Sequence, residues 1–199
     1  PYKIFVSEVM LQQTQVERVV PFYTNFLRTF PTAKALARAP LKEVLLGWQG
    51  LGYNRRALML KKIAEVIIRK HGGALPKNPE TLCILPGIGP ATAGAISAFA
   101  FNAPVPFIET NIRRAYIRFF FKNRKGVRDE DILTLAERAL DRKHPREWHG
   151  ALMDYGSMLG RHGENLNKRS AQYAKQAPFA GSSRKLRGEI AFQTTSATE

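Results

Sequence analysis

Glu8 and Glu109 stand apart from the other acidic residues of this chain, most of which lie among Lys and Arg on helical faces. Glu8 sits in Val6-Ser7-Glu8-Val9-Met10-Leu11, an otherwise apolar run that could aim it into an apolar cleft. Burial of that kind raises a carboxyl pKa and makes the group a proton donor near neutral pH. Glu109 follows Val105-Pro106-Phe107-Ile108 and precedes Thr110-Asn111, where a carboxylate can cap the next helix. Each position also admits a purely structural role, a salt-bridged Glu8 and a capping Glu109. Pattern alone favours that role for both.

A second kind of chemistry is written in Leu85-Pro86-Gly87-Ile88-Gly89-Pro90-Ala91-Thr92-Ala93-Gly94. Its spacing predicts a tight hairpin opening onto a helix, with glycines where the backbone turns and Pro90 in the first helical turn. Backbone N–H groups at such a helix start, reinforced by the macrodipole, bind phosphate. Gly-x-Gly before a helix is also ordinary turn chemistry, so the motif alone leaves the matter even. A dinucleotide-binding fold fits poorly, because Thr81 to Leu85 is too short for a strand and the residues upstream read helical. Charge tips the balance. Lys+Arg number 31 against Asp+Glu 16, a formal net charge of +15 over 199 residues. Such a balance favours a polyanion, and nucleic acid becomes the leading partner.

The elements that must position these residues read as short helices. Ile4–Gln13 has helical apolar spacing, and Thr14 could cap a second helix running to Phe30 and bent at Pro21. Short helices follow over Ala33–Ala39 and Leu41–Trp48. Arg55–Lys70 is amphipathic, with Leu58, Ile63, Val66 and Ile67 as its apolar stripe. His71-Gly72-Gly73 stops it, and Pro79 begins the helix leading into the hairpin. Thr92–Phe101, Asn111–Phe121, Asp129–Asp141 and Arg146–Leu159 complete the set. No window alternates at period two, so the fold class is all-α. Arg161 to Gly188 is polar and basic, an irregular loop on DNA or a tail.

Composition bounds the rest. Hydrophobic residues at 44% indicate a globular chain with room for one domain or two lobes. A single cysteine, Cys83, excludes a disulfide framework and reads as a small core residue. No apolar run reaches the roughly 18 residues that span a bilayer, and no signal-peptide pattern opens the chain. A soluble intracellular protein, cytoplasmic or nucleoid-associated, is expected. Pro1 is not an initiator residue, so an N-terminal segment is expected to be missing or removed.

Ser7-Glu8-Val9-Met10-Leu11-Gln12-Gln13-Thr14-Gln15-Val16 resembles the signature of the adenine-specific mismatch glycosylases, the MutY family. These belong to the helix-hairpin-helix superfamily that includes endonuclease III. Gly50-Leu51-Gly52-Tyr53, the Leu85–Gly94 hairpin and Asn111 match in the same order, and the resemblance runs from about Pro1 to Gly160. It implies two helical lobes, 1–104 and 105–199, with the active site in the cleft between them. It also implies a role for each matched residue. Glu8 takes the place of the general acid that protonates adenine. Glu109 falls where the family has Asp, the carboxylate that stabilises the oxocarbenium-like sugar. Gln13 and Tyr53 match residues that intrude into the duplex while the base is flipped out, with Leu51 beside them. Gln12, Thr14 and Arg55, with Gly87, Gly89, Ala91 and Thr92 of the hairpin and Asn111, complete the implied DNA-contacting set.

This chain departs from the family at several of these places. Glu109 is one methylene longer than Asp. Gly160 stands where the first cluster cysteine would be, so no iron–sulfur cluster and no metal or other cofactor are expected. Arg161, Lys168, Arg169, Arg184, Lys185 and Arg187 are available for phosphates in its stead. Tyr173 or Phe179 is expected to dock on the helix containing Trp148 and Leu152. By the same resemblance Gly150 stands where relatives carry an acidic residue of the base pocket, and no counterpart of the extra domain that recognises 8-oxoguanine in longer relatives is expected. Ala91 stands where strand-cutting relatives carry their nucleophilic Lys, which implies hydrolysis without a lyase step. The resemblance therefore implies a monofunctional glycosylase, acting as a monomer on mismatched or damaged duplex DNA and removing adenine opposite guanine or 8-oxoguanine. A thymine or uracil mismatch glycosylase and an inactive mismatch-binding protein are the alternatives.

Overall fold

The computed structural model describes residues 1–163 and 165–175. Its helices are α1 (Tyr2–Leu11), α2 (Val16–Thr29), α3 (Ala33–Arg38), α4 (Leu41–Trp48) and α5 (Arg55–His71). Then come α6 (Pro79–Cys83), α7 (Pro90–Phe101), α8 (Thr110–Phe120), α9 (Asp129–Ala139), α10 (Pro145–His162) and a 3₁₀ turn, Leu166–Arg169. Among the described residues the β structure amounts to one isolated bridge between Val127 and Ser170. The fold is all-α, as the periodicity predicts. No described helix is long and apolar enough to cross a membrane.

Local chemistry sets the helix ends. The Thr32 and Asn78 side chains accept from Ala35 N and Glu80 N and so begin α3 and α6. Gly72, at φ +58°, closes α5 in the left-handed conformation. Thr14 does not cap α2. Gln15 holds the cap position, and the Thr14 hydroxyl turns back to donate to Gln12 O at 3.4 Å. Pro21 lies inside α2, which continues past it with one backbone bond fewer.

The chain packs as two compact units, and among the described residues these are 1–89 and 90–175. In the first unit α1 packs on α2 and α5, and α3 and α4 pack on α5. Phe5, Met10, Phe26, Leu36, Trp48, Leu60, Ile63 and Ile67 are fully buried there. Each such side chain contributes roughly 1.5–3 kcal/mol. The buried stripe of α5 is Ala57, Leu60, Ile63, Ala64 and Ile67, while the expected Leu58 and Val66 lie half-buried on its flanks. Cys83 is exposed, contrary to the expectation of a core residue. Leu82 takes the inward position of the short α6, and the next residue is rotated about 100° away.

In the second unit α8 packs on α10, α9 and the 3₁₀ turn, around Phe107, Ile112, Tyr116, Ile117 and Ile132. Gly156 makes that crossing possible, because a Cβ there would lie 2.1 Å from Asn111 O. Gly94 does the same for α7, where a Cβ would meet Phe107 Cβ at 2.4 Å. Ala95 and Ala98 of α7 join the same core. The division therefore falls at Gly89/Pro90, earlier than the 104/105 boundary read from sequence. Tyr173, one of the two aromatic residues expected to dock on α10, is exposed near Thr110 and Arg113, and Leu166 joins the core cluster against which Leu152 packs. Phe179, Arg184, Lys185 and Arg187 lie outside the described residues.

Candidate active site and nucleic-acid interface

In the first unit the C-terminal half of α1 carries Glu8 and leads directly into Gln12, Gln13 and Thr14. Phe5, Val6, Val9 and Met10 turn inward, so Glu8 sits half-buried on the flank of that apolar stripe. The chain leaves α1 through Gln12 and Gln13, and Gln13 takes φ +54°. Gln12 Nε2 makes a long hydrogen bond, 3.4 Å, to Gly87 O in the hairpin. Gly87 has φ +76°, which favours glycine at this turn, and it packs under Met59, whose Cε a Cβ there would displace. Ile88 N donates to Leu85 O and closes the turn, while Gly87 and Gly89 stay exposed. Ala91 and Thr92, half-buried, follow in the first turn of α7.

The Gly50–Tyr53 turn presents Tyr53 and withdraws its neighbour. Tyr53 is exposed and strained at φ +51°, and Arg55 is exposed at the start of α5. Leu51 is 2% exposed. It is a core anchor of the turn, where the sequence placed it at the DNA surface. Sequence reading passed over Arg56, which is buried and donates to Met10 O, Gln12 O and Gly52 O. Burial lowers its guanidinium to about 10, so it stays charged at neutral pH.

In the second unit Glu109 caps α8, as Glu109-Thr110-Asn111 predicts. Its Oε1 accepts from Asn111 N at 2.7 Å and Ile112 N at 2.6 Å. Burial nevertheless pushes the Glu109 carboxyl above its usual range, against the backbone donors and the nearby Arg113 and Arg114, which lower it. Arg113 is held by a bidentate pair with Asp129 at 2.6–2.7 Å. Arg114 Nη1 donates to Asn111 Oδ1 at 2.9 Å and to Gly156 O. His149, another residue missed in sequence, is buried against Phe107 with Nε2 3.0 Å from Val105 O. Desolvation lowers its pKa and keeps it neutral, so Nε2–H donates and fixes the stretch of chain entering Glu109.

A family model described as HhH-GPD superfamily base excision DNA repair protein matches residues 6–140. This chain belongs to that superfamily. An adenine DNA glycosylase of Buchnera aphidicola is 38% identical over 160 residues, covering 80% of this chain and 46% of the relative. The human adenine DNA glycosylase is 36% identical over 162 residues, 79% of this chain and 30% of the relative. The chain thus spans less than half the length of these curated relatives. Among solved structures, a thermostable thymine-DNA glycosylase superposes with TM-score 0.72 and 27% identity, over 79% of this chain and 74% of that one. An endonuclease III–DNA complex shares the fold at TM-score 0.62 and 20% identity, over 96% and 85%.

The HhH-GPD resemblance brings the iron–sulfur cluster into question, and the residues present do not fit one. Clusters of this kind are held by several Cys thiolates, and the 199 residues contain only Cys83. At the first expected ligand position, Gly160, a Cβ would lie 2.3 Å from Arg114 Nη1. That guanidinium is pinned by Asn111 and Gly156 and cannot readily yield. At Gly150, by contrast, a Cβ would meet nothing within 4 Å.

Proposed function

We propose that this chain carries the catalytic core of a monofunctional DNA glycosylase that releases adenine mispaired with guanine or 8-oxoguanine. The observation that carries this reading is the match to adenine DNA glycosylases across four fifths of the chain, from a bacterium and from human. In this reading Glu8 donates a proton to the adenine ring and makes it a leaving group. Glu109 faces the sugar as positive charge develops at the anomeric carbon, and water completes the hydrolysis. Ala91 supplies no nucleophile, so no Schiff base forms. Gln13 and Tyr53 enter the duplex, while the hairpin N–H groups and the basic surface hold phosphates without reading sequence. The partner is duplex DNA, bound by a monomer wherever the cell keeps its DNA.

Thymine or uracil removal is the second reading, favoured by the likeness to the thymine-DNA glycosylase structure and by the empty space at Gly150. A panel of duplexes differing in a single mispair decides, read as single-turnover base release. Adenine release opposite guanine and 8-oxoguanine is expected. Thymine or uracil release without adenine would replace the first reading with the second, and tight mismatch binding without product would make the chain a binder. The same preparation should be colourless. Stoichiometric iron would overturn the proposal that the fold stands without a cluster.

A further inference from the structure

We propose that Arg56 is a positioning residue that locks the end of α1 to the Gly50–Tyr53 turn and so holds Gln13 and Tyr53 as the protein meets the duplex. The proposal rests on the glycosylase reading above. Arg56 is 6% exposed although it stands in the first turn of α5 beside the exposed Arg55. Nη1 donates to Met10 O at 2.5 Å and Gln12 O at 2.6 Å, with Val9 O at 3.3 Å, and Nη2 donates to Gly52 O at 3.2 Å. Val9 and Met10 lie in the last turn of α1, whose carbonyls find no N–H within the helix, and Gln12 is its cap. One guanidinium therefore terminates α1 and grips the turn that precedes α5.

The stacking partners point the same way. The guanidinium carbon lies 5.4 Å from the Trp48 ring centroid and 5.2 Å from that of Tyr53. Trp48 Nε1 donates to the same Gly52 O at 3.0 Å, so the indole and Arg56 fix that carbonyl together. Gln13 and Tyr53 both hold positive φ, a conformation that side-chain-bearing residues keep only when their surroundings over-determine it. Arg56 sits between the two strained positions and bonds the chain next to each. A buried cation is an expensive way to stabilise a core, which favours a role in placement. Lys cannot substitute for it, because an ammonium offers a single point of charge and no plane to stack.

The test is a double-mutant cycle on Arg56→Lys and Tyr53→Ala, in the full chain, with folding checked by circular dichroism and melting. The readouts are single-turnover adenine release and the fluorescence rise of 2-aminopurine placed beside the mispair, which reports unstacking. Arg56→Lys should lower both about tenfold or more, with affinity for matched duplex unchanged. The double variant should lose clearly less than the product of the two single losses, because both changes act on the placement of Tyr53. Additive losses, or wild-type behaviour of Arg56→Lys, would overturn the proposal. Trp48→Phe provides a second arm should Arg56→Lys not fold. It keeps an aromatic core residue, removes the bond to Gly52 O, and should give a smaller loss that is again non-additive with Tyr53→Ala. Additivity there would also overturn the proposal. If the wild-type protein unstacks DNA yet releases no base, the glycosylase reading fails and Arg56 is judged by coupling in fluorescence. Neither signal in the wild type would remove both.

Discussion

Single-turnover release of the mispaired base should fall by at least about 100-fold when Glu8 becomes Gln, the loss expected on removing a general acid. Gln keeps the length and hydrogen-bonding reach of the side chain and takes away only the transferable proton. Glu8 stands on the flank of α1, beside rather than within the stripe of Phe5, Val6, Val9 and Met10. Replacement should therefore shift stability by no more than about 0.5 kcal/mol, as for ordinary half-exposed positions. That separation makes the experiment decisive. An unchanged melting temperature and unchanged duplex affinity, with the rate lost, assign the effect to chemistry. A Glu8→Gln variant that releases base at the wild-type rate would show that Glu8 is one more helix-surface carboxylate, and the acid would have to be sought elsewhere.

How far the sequence could carry these assignments depended on whether the signal was local. Glu109 was legible as a cap because Asn111 and Ile112, whose N–H groups it accepts, are its near neighbours in the chain. The hairpin was legible because Gly87 turns at φ +76°, a conformation that favours glycine. Helix extents came from period and punctuation, with errors at the ends where a cap such as Thr14 has competing backbone partners. Arg56 was invisible for the opposite reason. In Asn54-Arg55-Arg56-Ala57 it reads as a solvated charge, and the carbonyls that bury it come from residues 44–47 positions away. Cys83 was assigned by residue type, and the side it faces is set by its place on the short α6 beside the buried Leu82. The close approach of Gly94 to Phe107, which ties α7 to the second unit, joins residues too far apart for any local pattern to announce.

Glu109→Gln should have two opposed consequences, and their opposition is what makes it informative. Base release should fall roughly 100-fold, because an anion no longer faces the sugar as its positive charge develops. Stability at neutral pH should rise. Burial is the largest influence on the Glu109 carboxyl and raises its pKa, so the folded protein holds this proton more tightly than the unfolded chain. Stability from that proton is fully present below the ordinary carboxylate range and is lost as pH rises through the folded-state value. At neutral pH the ionised Glu109 therefore carries a net cost, offset only in part by Asn111 N, Ile112 N, Arg113 and Arg114. Gln retains an amide oxygen for both backbone donors and needs no desolvation of charge. Its melting temperature should exceed that of the wild type near pH 7, and the gap should close as pH falls into the ordinary carboxylate range. Glu109→Asp restores the residue of the MutY pattern and keeps both cap and charge, so its base release should stay within about tenfold of wild type. A Gln variant that is both fully active and no more stable would leave Glu109 a helix cap alone. Loss of activity with a gain in stability would mark a carboxylate that the fold tolerates for the sake of the reaction.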